Sequence, residues 1–242
     1  MWSSSRLAEA VAHPAPPQAA LVFGEALGRA ERYAELLATD GVTRGLIGPR
    51  ETDRLWDRHL LNCAVVSELL PAPRGREHIE LVDIGSGAGL PGIVLALLRP
   101  GLNVVLLEPL LRRAVFLAEC VAELGLANVS VLRARAEEKQ AVAGIAADVA
   151  TARAVAPLDR LVGLAAGLLR PGGQLLAIKG QSAADELAAA EPVLSRLGVR
   201  SAEVLQAGHG MVVSATTVVR VVIPGHGREE HAGAQRSRRG VA

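Results

Sequence analysis

An apolar run at 79–84, IELVDI, turns directly into GSGAGLPG at 85–92, and this corner constrains the chain more than any other feature. The run is short enough for a buried strand. The glycines that follow carry no Cβ, so the backbone can turn tightly and approach a ligand closely. A strand that breaks into a glycine-rich turn and then an apolar helical run is the first half of a β-α unit. Asp83, Gly85, Gly87 and Gly89 spell D-x-G-x-G-x-G, and Gly87, Gly89 and Gly92 also spell G-x-G-x-x-G. The first spelling suits a nucleoside cofactor without phosphate, and the second a dinucleotide.

From residue 79 onward, strand and helix patterns alternate. IELVDI, NVVLLE, NVSVLRA, ADVATAR, GGQLLAIKG and RSAEVLQA read as strands. Helical stretches at 90–99, 110–124, 158–169 and 183–197 separate most of them. Such alternation predicts a doubly wound, Rossmann-like α/β sheet that is mostly parallel. The last strand, TTVVRVVIP, follows a glycine-containing turn instead of a helix, which predicts antiparallel pairing. Before the sheet, residues 24–41 and 52–71 carry helical periodicity. The expected organisation is a disordered 1–20, an N-terminal helical extension 21–78, the sheet domain 79–224 and a disordered tail 225–242.

Half of the residues are hydrophobic and only 2% aromatic, so the core must be aliphatic. A net charge of +1 excludes a wholly basic nucleic-acid binder but leaves room for a local basic surface. Lys139 and Lys179 are the only lysines among 26 cationic residues. The arginine excess fits phosphate recognition, and it fits equally a GC-rich coding composition. Cys63 and Cys120 have neither disulfide-framework nor zinc-site spacing, so no metal is expected and a reducing, cytoplasmic setting is. The N-terminus lacks the apolar core of a secretory signal, and no run of 18 apolar residues predicts a membrane span.

In doubly wound sheets, ligands bind at the carboxyl ends of the strands. That rule selects residues 83–90, Glu108, Arg135–Glu137, Arg153 and Lys179. Negative charge beside a pyrophosphate is repulsive, whereas Asp83 can attract the cationic methionine end of S-adenosylmethionine. Glu108, 21 residues after Gly87, can accept hydrogen bonds from ribose hydroxyls in either cofactor. Ala136 and Glu137 fall where adenine would lie, although Glu137 can equally be solvated charge.

DIGSGAGLPGIVLALLRP, LLEPLLRRAVFLAECVAELGLANV, RAEE, ATARAVAPL and AIKG follow one another in this order. Together with ETDRLWDRHLLNCAVV, they resemble the bacterial small-subunit ribosomal RNA methyltransferase G family, also called glucose-inhibited division protein B. The resemblance runs from about residue 51 to 180, and more loosely into VVRVVIP. It implies a class I methyltransferase fold and transfer of a methyl group from S-adenosylmethionine to N7 of one guanine in the decoding-region loop of 16S rRNA. It also implies donor contacts at Gly85, Leu90, Glu108, Ala136, Glu137 and Arg153, beside the Asp83, Gly87 and Gly89 read from the loop itself. The chain departs from the family's RHLLDS by reading RHLLNC, so Asn62 and Cys63 replace an acid and a serine. Asn62 cannot hold a cation by charge.

Guanine N7 keeps a free lone pair and needs no deprotonation. Consistent with that, no Asn/Asp-Pro-Pro-Tyr/Phe motif and no Pro-Cys nucleophile pair occurs in the chain. Catalysis then rests on positioning, with Arg153 at the donor–base boundary and Lys179 as a phosphate contact. Arg58, His59, Arg113 and Arg220 are candidate RNA contacts, although His59 also reads as a core histidine stacked between Leu55 and Cys63. Arg236, Arg238 and Arg239 in the tail would add nonspecific affinity. Aromatic residues are too scattered for a base-stacking platform. The expected partner is 16S rRNA or the small ribosomal subunit, and the expected state is a monomer. A small-molecule methyltransferase, an NAD(P)-dependent oxidoreductase and a non-catalytic donor-binding protein are the rival readings.

Overall fold

The computed structural model describes residues 13–73, 75, 77–199 and 201–224. The tail arginines 236, 238 and 239, and the terminal segments 1–12 and 225–242, lie outside the described residues. Seven strands form one sheet in the order β3-β2-β1-β4-β5-β7-β6. They are β1 Ile79–Ile84, β2 Leu102–Leu107, β3 Val129–Leu132, β4 Ala147–Arg153, β5 Leu169–Ile178, β6 Ser201–Ala207 and β7 Thr216–Val222. From β3 through β5 the pairings are parallel. As its turn predicted, β7 is antiparallel, inserted between β5 and β6. The chain leaves β1 towards β2 and later crosses back to β4, so the topology switches where β1 and β4 lie side by side.

Successive side chains of a strand point to opposite faces, and each face has its own helical cover. Leu81, Val149 and Leu176 join a core with α4 (Gly92–Leu98) and α5 (Leu111–Glu123). Val82, Ala150 and Leu175 join a second core with α7 (Leu158–Ala166) and α8 (Ala183–Arg196). The N-terminal helices α1 (Pro17–Phe23) and α2 (Leu27–Leu36) share the first core. Tyr33, Leu37, Leu55 and Leu60 pack there with Ile93 and Leu95. The extension thus completes one layer of the sheet. No helix among the described residues is long and apolar enough to cross a membrane.

Several boundaries differ from the sequence expectation. Residues 17–20, assigned to a disordered start, form the first turn of α1, whose Ala19 is fully buried. Helix α4 starts at Gly92 and not at 90. Helix α7 stops at Ala166, because Leu169 already pairs with Ala147 and opens β5. Pro171, Gly172 and Gly173 therefore lie inside β5, at a register shift against β4. The stretch 49–69 is not one regular helix. It passes from a tight 3-10 segment, Pro49–Arg54, into a wide π segment, Leu55–Leu61, then the three residues of α3, Asn62–Ala64, and a second 3-10 segment.

Candidate active site

The corner after β1 is braced by two buried carboxylates. Register places Asp83 beside Thr151 of β4. Asp83 Oδ1 accepts the Thr151 hydroxyl at 2.7 Å, and Oδ2 accepts the Gly92 N–H at 3.2 Å. Burial pushes the Asp83 carboxyl up to about 6, against the opposing effect of those hydrogen bonds. The sequence reading had Asp83 facing the ligand; the structure sets it beneath the loop as a brace. Glu108, just past β2, accepts the Gly87 N–H and the Leu110 N–H, both at 2.9 Å. It is 1% exposed, and each oxygen retains capacity for a second hydrogen bond beside the glycine turn.

This geometry separates the two spellings of the glycine motif. A dinucleotide would present its pyrophosphate to the first amide of α4. Here that amide already bonds the Asp83 carboxylate, whose charge would repel a phosphate. Gly89 has φ 99°, and a Cβ there would come within 2.5 Å of Ile93 Cδ1 and 2.8 Å of the Tyr33 hydroxyl. A Cβ on Gly92 would overlap Leu106 and reach within 2.8 Å of Asp83 Oδ2. The Tyr33 hydroxyl itself donates to the Ala88 carbonyl at 2.6 Å, so α2 clamps the loop from outside.

Beside the corner lies a cleft of about 180 Å³ lined by Gly85, Leu107, Ala134, Ala136, Glu137 and Val155. Its apolar walls suit a purine ring. Of the expected donor contacts, Gly85, Ala136 and Glu137 line this cleft, whereas Leu90 is buried in the core, 4% exposed. Glu137 is exposed and paired with Arg160 at 2.7 Å, which holds its carboxyl below the usual carboxylate range. An apolar slot, a buried acid near it and an amide end closed to phosphate together fit S-adenosylmethionine.

A second, more open cleft of about 640 Å³ adjoins it at the ends of β4 and β5. Arg153, Ala154, Pro157, Lys179 and Glu186 line it. Ala154 is the one non-glycine residue with positive φ, 54°, among the described residues. Arg153 Nη1 donates to His59 Nδ1 at 3.0 Å and to the Arg58 carbonyl at 3.3 Å. His59 Nε2 lies 3.1 Å from Glu51 Oε2. Burial first, and then the neighbouring Arg153, lower the His59 imidazole to about 4.

Lys179 is not the free cation expected from the sequence. Its Nζ donates to Glu186 at 2.6 Å and to the Ala156 carbonyl at 2.9 Å, with the side chain only 9% exposed. Arg58 is exposed and paired with Glu51, and Arg113 lies 3.9 Å from Glu108 on the donor side. Arg220 sits mid-strand on β7, opposite Leu176 and paired with Glu203, so it does not reach the strand ends. The structure thus gathers Arg58, His59 and Arg153 and leaves Arg220 apart. Asn62 opens onto a groove with Arg54, Arg58 and Ser214, whereas Cys63 is buried, its thiol pushed up to about 11 by that burial. Phe23, Tyr33, Trp56 and Phe116 are all core residues. Thr151, Tyr33 and Glu51 escaped the sequence reading, because each acts through a partner distant in the chain.

Strand order, the switch-point cleft and the acid-braced glycine corner define a Rossmann-like, class I S-adenosylmethionine-dependent methyltransferase fold. Solved structures share it. An S-adenosylmethionine-dependent O-methyltransferase of Thermotoga maritima superposes with TM-score 0.51 at 15% identity, covering 70% of this chain and 67% of its own. An O-methyltransferase family protein of Burkholderia thailandensis gives 0.51 at 16%, covering 82% and 64%. The family model described as rRNA small subunit methyltransferase G matches residues 27–212. Ribosomal RNA small subunit methyltransferase G of Thermobifida fusca is 58% identical over 212 residues, 87% of this chain and 86% of that protein. Its counterpart in Streptomyces coelicolor is 55% identical over 210 residues, 87% and 85%. The chain belongs to the rRNA small subunit methyltransferase G family.

Proposed function

We propose that the protein transfers a methyl group from S-adenosylmethionine to N7 of a guanine in the decoding-region loop of 16S rRNA. The carrying observation is the chemistry of the second cleft. Among the described residues lining it, the titratable groups are Arg153, Lys179 and Glu186. Lys179 and Glu186 are bonded to each other, and Glu186 also accepts from Ser182 and the Leu158 N–H. His59, next to the cleft, has both ring nitrogens engaged. Among the described residues at this cleft no base is left without a partner, and guanine N7 requires none, because its lone pair is already available.

The donor supplies an electrophilic methyl carbon on a sulfonium. The protein's part is placement. Glu108 and the Gly85–Gly87 backbone would hold the ribose, and Ala136 with Leu107 would wall the adenine. Arg153 would donate to guanine O6 or a flanking phosphate from the guanidinium edge that His59 does not engage. Orientation of this kind is worth roughly 7–11 kcal/mol of barrier. Action on ribosomal RNA implies a cytoplasmic protein, and we read it as a monomer.

The test is label transfer from S-adenosylmethionine to deproteinised 16S rRNA and to intact small subunits, side by side, with the product mapped by N7-specific strand scission. A single cleavable guanine in the decoding-region loop supports the reading. Background label, or label at an exocyclic amine, overturns it.

A further inference from the structure

We infer that His59 is a positioning residue: its Nδ1 holds the Arg153 guanidinium in register at the cleft, and Glu51 sets the tautomer that lets it do so. The inference rests on the proposed role of Arg153 and names how the N-terminal extension takes part in the reaction.

The hydrogen-bond logic leaves one arrangement. A guanidinium only donates, so the His59 Nδ1 that lies 3.0 Å from Arg153 Nη1 must be the acceptor. The ring proton then sits on Nε2 and donates to Glu51 Oε2 at 3.1 Å. Glu51 belongs to the 3-10 segment at Pro49–Arg54, His59 to the π segment that follows, and Arg153 to the end of β4. The chain of bonds therefore ties the extension to the end of β4, whose following residues Val155 and Ala156 line both clefts. The charged groups around the imidazole are Glu51, Arg58 and Arg153, and burial together with Arg153 keeps it neutral. A protonated ring would present a donor to a donor and release the arginine.

Only Nη1 is taken up by His59 and the Arg58 carbonyl. No hydrogen bond from Nε or Nη2 of Arg153 is made among the described residues, so that edge stays available for an acceptor. Arg153 is itself among the residues that line the open cleft. His59 is 14% exposed, which fits a buttress better than an RNA contact.

Two isosteric variants separate the roles of the two ring nitrogens. In H59N the amide oxygen takes the place of Nδ1 and can still accept from Arg153, while the link to Glu51 is lost. In H59Q the amide nitrogen takes the place of Nε2 and can still donate to Glu51, while the acceptor for Arg153 is lost. Displacing a positioned group by about 1 Å can cost about 100-fold, so H59Q should lose about that in kcat and H59N stay within about tenfold of wild type, with KM for rRNA and for donor nearly unchanged. Equal kcat in H59Q and wild type, or a loss confined to KM for rRNA, overturns the inference. A third readout does not depend on turnover. ¹⁵N-resolved spectra of the full chain should show hindered rotation of the Arg153 guanidinium in wild type and H59N but not in H59Q. Identical Arg153 signals in all three sink the inference even if no rRNA label is ever found. Absence of wild-type label with the expected spectra sinks the proposed reaction alone.

Discussion

The donor corner and the acceptor mouth are neighbours built on different plans. At the corner, Glu108 reaches Leu110 two residues on and Gly87 21 residues back, and Asp83 reaches Gly92 nine residues on. Asp83 and Glu108 are buried and already held by backbone and side-chain donors, with acceptor capacity left on Glu108, so little must reorganise when a ligand arrives. At the mouth, Arg153 is held by residues 94 and 95 positions away, in an open cleft beside the strained Ala154. A cofactor of fixed shape is served by a rigid pocket, braced within the corner and, from farther along the chain, by Thr151 and Tyr33. On the proposed function a base within a large RNA would enter the open mouth, where the extension contributes His59 and the Arg58 carbonyl as partners of Arg153.

The sharpest way to break the local plan is Gly92→Ala. Its Cβ has no room between Leu106 and Asp83, so about 3 kcal/mol of stability should go, read from denaturant midpoints, together with donor affinity in a titration. Wild-type stability in that variant would show that the corner is looser than its contacts imply. Lys179→Met tests whether the mouth's lysine is a strut. Loss of a bond to a charged partner predicts about 2 kcal/mol less stability with the salt dependence of rRNA binding unchanged. A salt slope reduced by about one would make Lys179 a phosphate contact instead.

Proton linkage compares the two regions directly. His59 titrates at about 4 when folded, below its ordinary 6.5, so on acidification through that window the unfolded chain binds the extra proton and stability falls. Asp83 titrates at about 6 when folded, above its ordinary 3.8, so over almost the same window the folded chain binds the proton and stability rises. The two slopes oppose. Urea midpoints between about pH 4 and 6 should fall on acidification in D83N and rise in H59N, with wild type between them. Glu137 and Glu186, both held below their ordinary 4.5, lower stability on acidification from about that pH downward, so the two variants are best compared above it. Parallel profiles in the two variants would refute the assignment. The smallest effect is expected from Ala154→Gly, which relieves a left-handed backbone at a cost in chain entropy. A gain below about 1 kcal/mol should appear as a slightly raised melting temperature.

The amino-acid sequence by itself determined what is local. The six-residue run into D-x-G-x-G-x-G specified the corner, the alternation of patterns specified the doubly wound sheet, and the glycine turn before TTVVRVVIP specified the antiparallel strand. Strand period and glycine backbone freedom act over a few residues, and so can be read from them. Tertiary structure decided the rest. Asp83 became a brace because register set Thr151 beside it, and Lys179 became a strut because α8 brought Glu186 to it. His59 met Arg153 only because the extension packs onto the sheet's first core. Which polar groups pair across 68 or 94 residues depends on how layers dock, and that is set by the burial of apolar faces, which leaves no mark in the spacing of the polar residues it brings together.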